Sequence, residues 1–361
     1  MKALVVNVLG GGFDSEEIDI ASPIRREVLV DVQASGLCHT DVLFATHNII
    51  PMPAVLGHEV AGIVAEIGPE VEQFRVGDHV VGSLVQSCGA CARCLSGRSF
   101  QCLHPEATLR RPNDPPRLRR NGVGLFQGLG LGGFAERALI HENQLAFLPR
   151  EMPFAQAALL GCGVVTGAGA VLNTAQVSAG DTVVVFGAGG VGLNAISGAR
   201  IAGASRIVVI DIQPKRLEAA KLFGATEVID STTKNPAEAV RGILPRGADH
   251  VFDFVGLKAV AEQGLAMLGV GGGLYLVGVS KPEVSLDLNI FDAIGGQKRV
   301  QGVNYGSTNF KRDIPTYANL YLQGRMNLDD LVSKRIALRD VNEGYAALED
   351  GSLNRVVVTS F

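Results

Sequence analysis

The stretch DTVVVFGAGGVGLNAISGARIAGASRIVVIDI, residues 181–212, decides the fold. It begins with an apolar run typical of a buried strand and continues through a glycine-rich turn into a helical pattern. A second apolar run then ends at Asp211, 24 positions after Gly187. The turn, GAGGVG, fits G-x-G-x-x-G, which is weak evidence alone in a chain with 45 glycines. The strand before it, the helix after it and the acid beyond it complete a dinucleotide-binding fingerprint.

Each position of this fingerprint has a physical reason. Gly187 permits the tight turn, Gly189 lets the backbone approach a pyrophosphate at the helix N-terminus, and Gly192 allows close packing of helix on strand. Asp211 can accept hydrogen bonds from the adenosine ribose hydroxyls, and its charge would repel a 2′-phosphate. Arg216 is a further candidate for a ribose or phosphate contact. We therefore predict a nicotinamide cofactor, and NAD over NADP.

Two textures divide the chain. Before about residue 150, short runs such as KALVVNV, EVLVDVQAS and VAGIVAEIG alternate with Gly and Pro, which is typical of all-β structure. From residue 154 onward, strand-like and helix-like segments alternate, which predicts a parallel, doubly wound sheet. The chain ends in a further strand, NRVVVTSF. The sequence thus predicts an α/β fold with a β domain beside a doubly wound domain.

Composition excludes several classes of function. A chain of 361 residues with 47% hydrophobic and 19% charged residues is globular and long enough for two domains. A net charge of −4 offers no electrostatic footprint for nucleic acid or an anionic membrane. The sequence contains no run of about 18 uninterrupted apolar residues, so it predicts no transmembrane helix. Its first residues, MKALVVNVLGGG, are typical of a first strand and not of a signal peptide. We expect a cytoplasmic protein with a small-molecule substrate and no nucleic-acid or membrane partner.

Four of the six cysteines lie within 15 residues: Cys88, Cys91, Cys94 and Cys102. The spacing C-x2-C-x2-C-x7-C lets a loop wrap one tetrahedral metal ion, and clustered cysteines in a reducing compartment are more often metal ligands than disulfides. An iron–sulfur cluster would accept the same spacing, but nothing else in the sequence supports electron transfer. Four thiolates leave no open coordination position, so we predict a structural zinc lobe over residues 88–102.

The other two cysteines stand in different surroundings. Cys38 lies in GLCHTD, His58 and Glu59 follow in GHEVAG, and Cys162 lies in LLGCGVVTG. Two thiolates and one imidazole would leave a fourth position on a zinc ion open for water or substrate. Spacing alone leaves each residue ambiguous, and a lone cysteine such as Cys162 is more often a small buried residue than a ligand.

One further segment is unusual in charge. Residues 108–120, TLRRPNDPPRLRR, hold five arginines and three prolines. We expect a solvated surface loop here, with docking of an anionic partner as the alternative.

Together these motifs resemble the zinc-dependent alcohol dehydrogenases of the medium-chain dehydrogenase/reductase superfamily. GLCHTD, GHEVAGIVAEIG, the four-cysteine lobe, LLGCGVVTGAGA, GAGGVG with Asp211, and NRVVVTSF occur in the family's order, essentially from end to end. The resemblance implies a GroES-like β catalytic domain from residues 1–163 and 305–361, and a Rossmann NAD-binding domain from residues 164–304. The long stretch between Cys102 and Cys162 is similar to that of the dimeric animal and plant enzymes. It implies a homodimer, with a tetramer as the alternative.

The resemblance also implies roles for single residues. Cys38, His58 and Cys162 would bind a catalytic zinc, which makes two zinc ions per chain. Glu59 would lie behind that zinc, Asp41 would orient His58, and Thr40 would accept the alcohol proton. Beyond the fingerprint residues already named, the implied cofactor contacts are His39, Thr166, Gly190, Val191, Val277 and Arg355.

The implied reaction is the reversible, NAD-linked oxidation of a primary or secondary alcohol to an aldehyde or ketone. Zinc acts as a Lewis acid, so that an alkoxide forms near neutral pH and donates a hydride to the nicotinamide. In the family pattern the proton leaves through Thr40, the cofactor ribose and a histidine five residues after the first zinc cysteine. Here that position holds Leu43, which carries no proton. Either the ribose releases the proton to water, or His47 replaces the missing histidine.

A second departure concerns the substrate pocket. Leu84 stands four residues before the first lobe cysteine, where many relatives place a bulky aromatic ring. Because the chain also has 6% aromatic residues and no Trp, we expect a wide aliphatic pocket, lined by Leu43 and Leu84, that prefers bulky apolar alcohols to ethanol. Asn304, in GVNYGS, either faces this pocket or is a turn residue.

A thiol-adduct, glutathione-type formaldehyde dehydrogenase is the nearest alternative. Such enzymes need cationic groups to hold the thiol's carboxylates, and the arginines of residues 108–120 are the obvious candidates. The same enzyme running in reverse as an aldehyde or ketone reductase also fits the sequence. A noncatalytic cofactor-binding member of the superfamily would lack zinc ligands, whereas all seven expected ligands are present.

Overall fold

The computed structural model describes residues 1–349, 351 and 353–361. Its internal contacts divide the chain into two compact units, Met1–Cys162 with Asn309–Phe361, and Gly163–Thr308. The divisions predicted from the sequence, at 163/164 and 304/305, are one and four residues away from these. Which unit carries catalysis and which the cofactor stays a prediction at this point.

The strands and helices follow one another along the chain with these bounds. The strands are β1 Lys2–Val6, β2 Asp14–Glu17, β3 Asp19–Ile20, β4 Glu27–Gly36, β5 Ala54–Val55, β6 Glu59–Ile67, β7 His79–Gly82, β8 Leu118–Arg120, β9 Val123–Gln127, β10 Arg137–His141, β11 Leu145–Phe147, β12 Thr182–Phe186, β13 Arg206–Asp211, β14 Glu227–Asp230, β15 Ala248–Asp253, β16 Leu268–Leu276, β17 Arg299–Gly302, β18 Val332–Ala337 and β19 Arg355–Ser360. The α-helices are α1 His39–Thr46, α2 Ala92–Leu95, α3 Phe154–Leu159, α4 Val165–Gly169, α5 Gly190–Ala202, α6 Pro214–Phe223, α7 Pro236–Ile243, α8 Lys258–Met267, α9 Ile290–Gly295, α10 Phe310–Leu322 and α11 Val341–Glu349. π-Helical turns span Leu160–Val164 and Ala170–Ala175. Short 3₁₀ turns span Ser99–Gln101, Pro105–Thr108, Gly128–Gly130, Glu142–Gln144, Tyr305–Ser307 and Leu338–Asp340.

The first unit is built on two β-sheets. One has the strand order β2-β1-β5-β9-β8-β3, and the other has β11-β7-β6-β4-β19-β18 with β10 also paired to β4. Strand β4, EVLVDVQASG, pairs antiparallel with β6, β10 and β19, and it is buried along most of its length. Its valine-rich sequence suits such a central position, because β-branched side chains pack well on a pleated surface.

An apolar cluster in the same unit supports the end of β4. Leu37, Leu56, Phe134, Tyr345 and Val356 are buried together there, with further side chains from β1 and α1. Burial of each large side chain of this kind contributes about 1.5–3 kcal/mol. The cluster therefore fixes the start of α1 and the turn before β6, which carry the residues of the site described below.

The second unit is a six-stranded parallel sheet with the order β14-β13-β12-β15-β16-β17 and helices between its strands. This order is typical of dinucleotide-binding folds. β12, TVVVF, lies at the centre and is buried almost throughout, because a parallel sheet is covered on both faces. The predicted α/β fold with a doubly wound Rossmann sheet is confirmed.

Among the described residues, one helical stretch, Phe154–Ala175, is long and apolar enough to cross a membrane. In its most apolar window, 89% of the residues are buried inside the protein. The core helix of a globular protein passes the same test of length and composition, so this stretch is weak evidence for a membrane span.

The arginine-rich segment differs from the expected solvated loop. Arg110 and Arg117 are buried and pair with the buried carboxylate of Glu27, at 2.6 and 2.8 Å. Arg120 pairs with Glu16 at 2.5 Å. The expectation of a solvated loop is wrong for these arginines, because a carboxylate buried at the start of β4 requires cationic partners. Three of the five arginines are therefore engaged within the chain.

Candidate metal centres and cofactor site

The first unit brings Cys38, His58, Glu59 and Cys162 together. Their ligand atoms all lie within 4.8 Å of one another, and all four residues are buried. Cys38 precedes α1, while His58 and Glu59 stand at the start of β6. Cys162 lies in the π-helical turn Leu160–Val164, a distortion that is frequent at functional sites.

The surroundings of His58 fit a metal ligand. Its Nδ1 lies 3.0 Å from Asp41 Oδ1, which also accepts a hydrogen bond from the backbone N–H of Gly57. A carboxylate on Nδ1 favours the tautomer with a proton there and a lone pair on Nε2. Nε2 is buried and has no hydrogen-bond partner among the described residues. A buried polar atom of this kind needs a partner, and a zinc ion shared with two thiolates supplies one.

Several ionisable side chains lie in this cluster or directly beside it. A hydrogen bond from Cys162 lowers the pKa of the Cys38 thiol well below its usual range, despite burial. Burial raises the pKa of Glu59 to about 7, although the nearby Arg355 opposes that shift. Arg355 lies 3.6 Å from the Glu59 carboxylate and donates a hydrogen bond to the Leu37 carbonyl at 3.1 Å. Its predicted contact with a cofactor pyrophosphate stays a prediction.

The residues predicted for proton transfer and for the substrate pocket lie mostly in α1 or directly after it, and one follows β7. The Thr40 hydroxyl lies 3.7 Å from Cys38 Sγ. Leu43 is half-buried, whereas His39 and His47 are exposed, and His47 Nδ1 is 2.9 Å from the Thr46 hydroxyl. Leu84, just beyond β7, is half-buried, and it packs against the apolar core of the seven-stranded sheet.

Tyr345 is a residue of this site that sequence reasoning missed. Its hydroxyl donates to the Cys38 carbonyl at 3.2 Å and lies 3.4 Å from Asp41 Oδ2. Burial raises the pKa of Tyr345 well above its ordinary value, so the hydroxyl keeps its proton. No local pattern marks this tyrosine, because it is 307 residues from Cys38 in the chain.

The four cysteines of residues 88–102 form a second cluster, with ligand atoms within 4.8 Å of one another. Sγ distances of 3.9 Å for Cys88–Cys94 and 4.0 Å for Cys91–Cys102 are far longer than a disulfide bond. They approach the edge of about 3.8 Å of a tetrahedron with Zn–S bonds of about 2.3 Å. Backbone N–H groups of Cys91 and His104 donate to the Cys88 and Cys102 sulfurs at 3.3 Å, which stabilises thiolates. The donor set fits a closed, structural zinc site.

In the second unit the glycine turn has the geometry that the fingerprint requires. Gly187 has φ of +89°, in the left-handed region that favours glycine. A Cβ at Gly192 would lie 1.9 Å from the Gly187 carbonyl oxygen, so helix and strand meet there without room for a side chain. Asp211 Oδ2 accepts from the Ala188 N–H at 2.8 Å, and its Oδ1 accepts from the Gln213 N–H at 2.9 Å. The Asp211 carboxylate therefore stabilises the backbone of the glycine turn.

The remaining predicted cofactor residues also lie in this unit. Gly190 and Val191 open α5, and a Cβ at Gly189 would meet no atom within 4 Å, which leaves open space over the helix N-terminus. Thr166 lies in α4, Val277 directly follows β16, and Arg216 lies in α6. Their contacts with a cofactor stay predictions. Asn304, a candidate for the substrate pocket, is exposed just before a turn, and its place in that pocket also stays a prediction.

Comparison with known proteins agrees with this arrangement. Residues 25–150 match the alcohol dehydrogenase GroES-like domain, and residues 190–323 match the zinc-binding dehydrogenase family. The chain is 36% identical over 365 residues to the NDMA-dependent alcohol dehydrogenase of Amycolatopsis methanolica, which covers 99% of this chain and 98% of that protein. It is 34% identical over 368 residues to the S-(hydroxymethyl)glutathione dehydrogenase of a Synechocystis strain, covering 99% of each. The crystal structure of benzyl alcohol dehydrogenase from Acinetobacter calcoaceticus superposes with a TM-score of 0.94 at 33% identity, covering 100% of this chain and 99% of that one.

A GroES-like unit with zinc-ligand clusters and a Rossmann unit define a medium-chain dehydrogenase. The chain belongs to the zinc-dependent alcohol dehydrogenase family. It is an oxidoreductase that uses zinc and a nicotinamide cofactor and acts on a small-molecule substrate.

Proposed function

We propose that this protein catalyses the reversible, NAD-linked oxidation of bulky apolar alcohols, with a catalytic zinc ion at Cys38, His58 and Cys162. The observation that carries this proposal is the buried cluster of these three side chains, in which His58 Nε2 has no protein partner among the described residues. Three protein ligands leave a fourth position open for a substrate, whereas the four-cysteine lobe leaves none. We accordingly propose two zinc ions per chain, one catalytic and one structural.

When bound, the zinc would supply Lewis acidity toward the alcohol oxygen, and the nicotinamide would accept the hydride. The chain's own residues do the rest. Asp41 holds the Nδ1 proton of His58 and so fixes the ring orientation. Thr40, whose hydroxyl lies beside Cys38 Sγ, would accept the proton from the alcohol. Glu59 and Arg355 set the charge behind the thiolates.

The proton's exit beyond Thr40 has two possible routes, release to water or transfer through His47. Thr40 is the second residue of α1, and His47 directly follows the last residue of this helix. His47 is exposed. A protonated histidine cannot accept the proton, so a His47→Gln variant that loses the acid-side limb of the kcat profile supports the histidine route. An unchanged profile supports release to water.

For the cofactor we propose NAD, because the Asp211 carboxylate, held by two backbone N–H groups, would repel a 2′-phosphate. Arg216, in α6 five residues after Asp211, is a cation that could offset part of this repulsion. The ratio of kcat/KM values for NAD and NADP tests the proposal, with NAD favoured by at least about tenfold.

For the substrate we propose benzylic, terpenoid, long-chain or secondary alcohols, on the basis of Leu84 and Leu43 at positions where a larger ring or a histidine would stand. The structural similarity to a benzyl alcohol dehydrogenase supports this class. Formation of NADH from ethanol, hexanol, benzyl alcohol, geraniol and cyclohexanol tests it, with NDMA added in parallel because one relative depends on it. Equal kcat/KM for ethanol and benzyl alcohol would contradict the proposal.

Oxidation of S-(hydroxymethyl)glutathione is the second candidate, since a relative of 34% identity carries that name. Its recognition would need free cations for two carboxylates. Arg110, Arg117 and Arg120 are engaged by Glu27 and Glu16, which weakens this candidate. Including the glutathione adduct in the same panel decides between the two: a kcat/KM above that of every alcohol favours the adduct.

We also propose that the enzyme is a cytoplasmic homodimer. Helix α9 exposes Ile290, Phe291 and Ile294, the second of them to 87%. In the same unit β17 is the terminal strand of the sheet and is exposed throughout, and such an edge can pair with a second copy. Light scattering of a Phe291→Glu variant tests this, with Leu95→Glu, at an exposed apolar residue of the zinc lobe, as control. A dimer unaffected by Phe291→Glu would exclude this surface.

A further inference from the structure

The helix α11 reaches the metal cluster through one side chain. The Tyr345 hydroxyl lies 3.2 Å from the carbonyl oxygen of Cys38 and 3.4 Å from Asp41 Oδ2. It is thus shared between the backbone of one predicted ligand and the carboxylate that orients another, His58. We propose that Tyr345 is a positioning residue of the metal centre, which fixes Cys38 and the Asp41–His58 pair relative to each other.

The ring of Tyr345 is itself held in place. It stacks on Phe13 with centroids 5.4 Å apart, and Phe134 meets it edge-on at 6.4 Å. Asn342, one helical turn earlier on α11, exchanges hydrogen bonds with the backbone of Phe13 at 2.9 and 3.0 Å. The hydroxyl therefore has little freedom to move, which is what a residue that positions others requires.

The backbone of α11 also approaches the Cys38 segment closely. A Cβ at Gly344 would lie 2.7 Å from the Leu37 side chain and 2.8 Å from that of Ile336. On the other side, Arg355 donates to the Leu37 carbonyl at 3.1 Å. The residue before Cys38 and the carbonyl of Cys38 are thus held by the C-terminal part of the chain, so metal geometry depends on the seating of α11.

Three polar groups contact the Asp41 carboxylate, two of them at one oxygen and the third at the other. Oδ1 serves the Gly57 N–H and His58 Nδ1, both at 3.0 Å, and Oδ2 faces the tyrosine hydroxyl. Without the hydroxyl, Oδ2 would lose the donor that it shares with the Cys38 carbonyl, and the carboxylate could rotate about its Cβ–Cγ bond. Rotation would move Oδ1 away from His58, and outer contacts of this kind commonly change metal affinity by 10–100-fold.

The inference rests on the proposed function, since it assumes a metal at Cys38, His58 and Cys162. The test is Tyr345→Phe, which removes the hydroxyl and keeps the ring between Phe13 and Phe134. Zinc release to a chromophoric chelator is followed in the wild type and the variant, and the phase missing in Cys162→Ala is assigned to this site. The four-cysteine lobe is an internal control, and Tyr317→Phe, at a buried tyrosine of α10, is the matched variant.

We expect release from the catalytic site to accelerate about tenfold in Tyr345→Phe, with release from the lobe and the Tyr317→Phe control within about twofold of the wild type. The ligand-field bands of the Co²⁺-loaded catalytic site should shift, a change that general destabilisation would not produce. Unchanged release and bands overturn the inference and leave the proposed function intact. Equal acceleration at both sites also overturns it, because the tyrosine would then act on the whole fold. A wild type that binds metal only at the lobe overturns both proposals.

Discussion

The carboxylate of Asp41 offers the most quantitative test of the proposed metal centre. It is 1% exposed, and its Oδ1 accepts from the Gly57 N–H and pairs with His58 Nδ1. Asp41→Asn keeps the size and one acceptor oxygen but removes the charge. A hydrogen bond to a charged group contributes about 1.5–3 kcal/mol, so we expect zinc affinity at this site to fall about 10–100-fold.

Asp41→Ala is a harsher change that separates two effects. It leaves the Gly57 N–H and His58 Nδ1 without their acceptor in a buried place, which should lower the free energy of unfolding by about 1–3 kcal/mol in addition to the loss of metal. Competition with a chelator of known affinity measures the zinc, and urea unfolding of the metal-free protein measures stability. Zinc affinity of Asp41→Asn within twofold of the wild type would refute the assignment of Asp41 as the group that orients His58.

Three further outcomes follow from the packing. Gly192→Ala should raise the KM for NAD more than about tenfold, because the added Cβ would lie 1.9 Å from the Gly187 carbonyl oxygen. Gly242→Ala, whose Cβ would meet no atom within 4 Å, is the control. Equal KM values for the two variants would contradict the proposal that the glycine turn binds the cofactor. Glu27→Ala should lower the free energy of unfolding in urea by about 3–5 kcal/mol, since it leaves Arg110 and Arg117 buried without their carboxylate. A decrease of less than about 1 kcal/mol would show that water reaches these arginines instead. Burial lowers the pKa of His141 to about 4, and its Nδ1 accepts from the Asn143 N–H. The unfolded chain therefore binds more protons between pH 6.5 and 4, and the wild type should lose about 2 kcal/mol of stability as pH falls through this window, after allowance for partial exposure of the ring. His141→Gln should remove that part of the slope, and an unchanged slope would assign it to other groups.

The sequence predicts the parallel Rossmann sheet and its glycine turn well because the relevant contacts are local. The glycine turn, its flanking strands and Asp211 lie within one βαβ unit, so the reasons for Gly187 and Gly192 can be stated from spacing and are met in the structure. The four-cysteine lobe is equally local, since 15 residues hold all four sulfurs.

The buried cluster of Cys38, His58, Glu59 and Cys162 depends on contacts that spacing does not reveal. Cys38 and Cys162 are 124 residues apart in the chain. Only the family resemblance predicts that they lie close together. No sequence pattern marks Tyr345, because its contacts with Cys38 and Asp41 arise from the packing of α11 against the Cys38 segment. The prediction of a solvated loop is wrong for Arg110 and Arg117 for the same reason. Their partner, Glu27, lies more than 80 residues earlier in the chain, and its burial is a property of the folded sheet.

A joint measurement of metal content and turnover in the wild type and in Cys162→Ala tests directly whether a catalytic zinc is bound at Cys38, His58 and Cys162. We predict two zinc ions per chain in the wild type, one in the variant, and NADH formation from benzyl alcohol that is lost with the second ion. Cys162→Ala that keeps two zinc ions, or that keeps full turnover with one, would contradict a catalytic zinc at Cys38, His58 and Cys162.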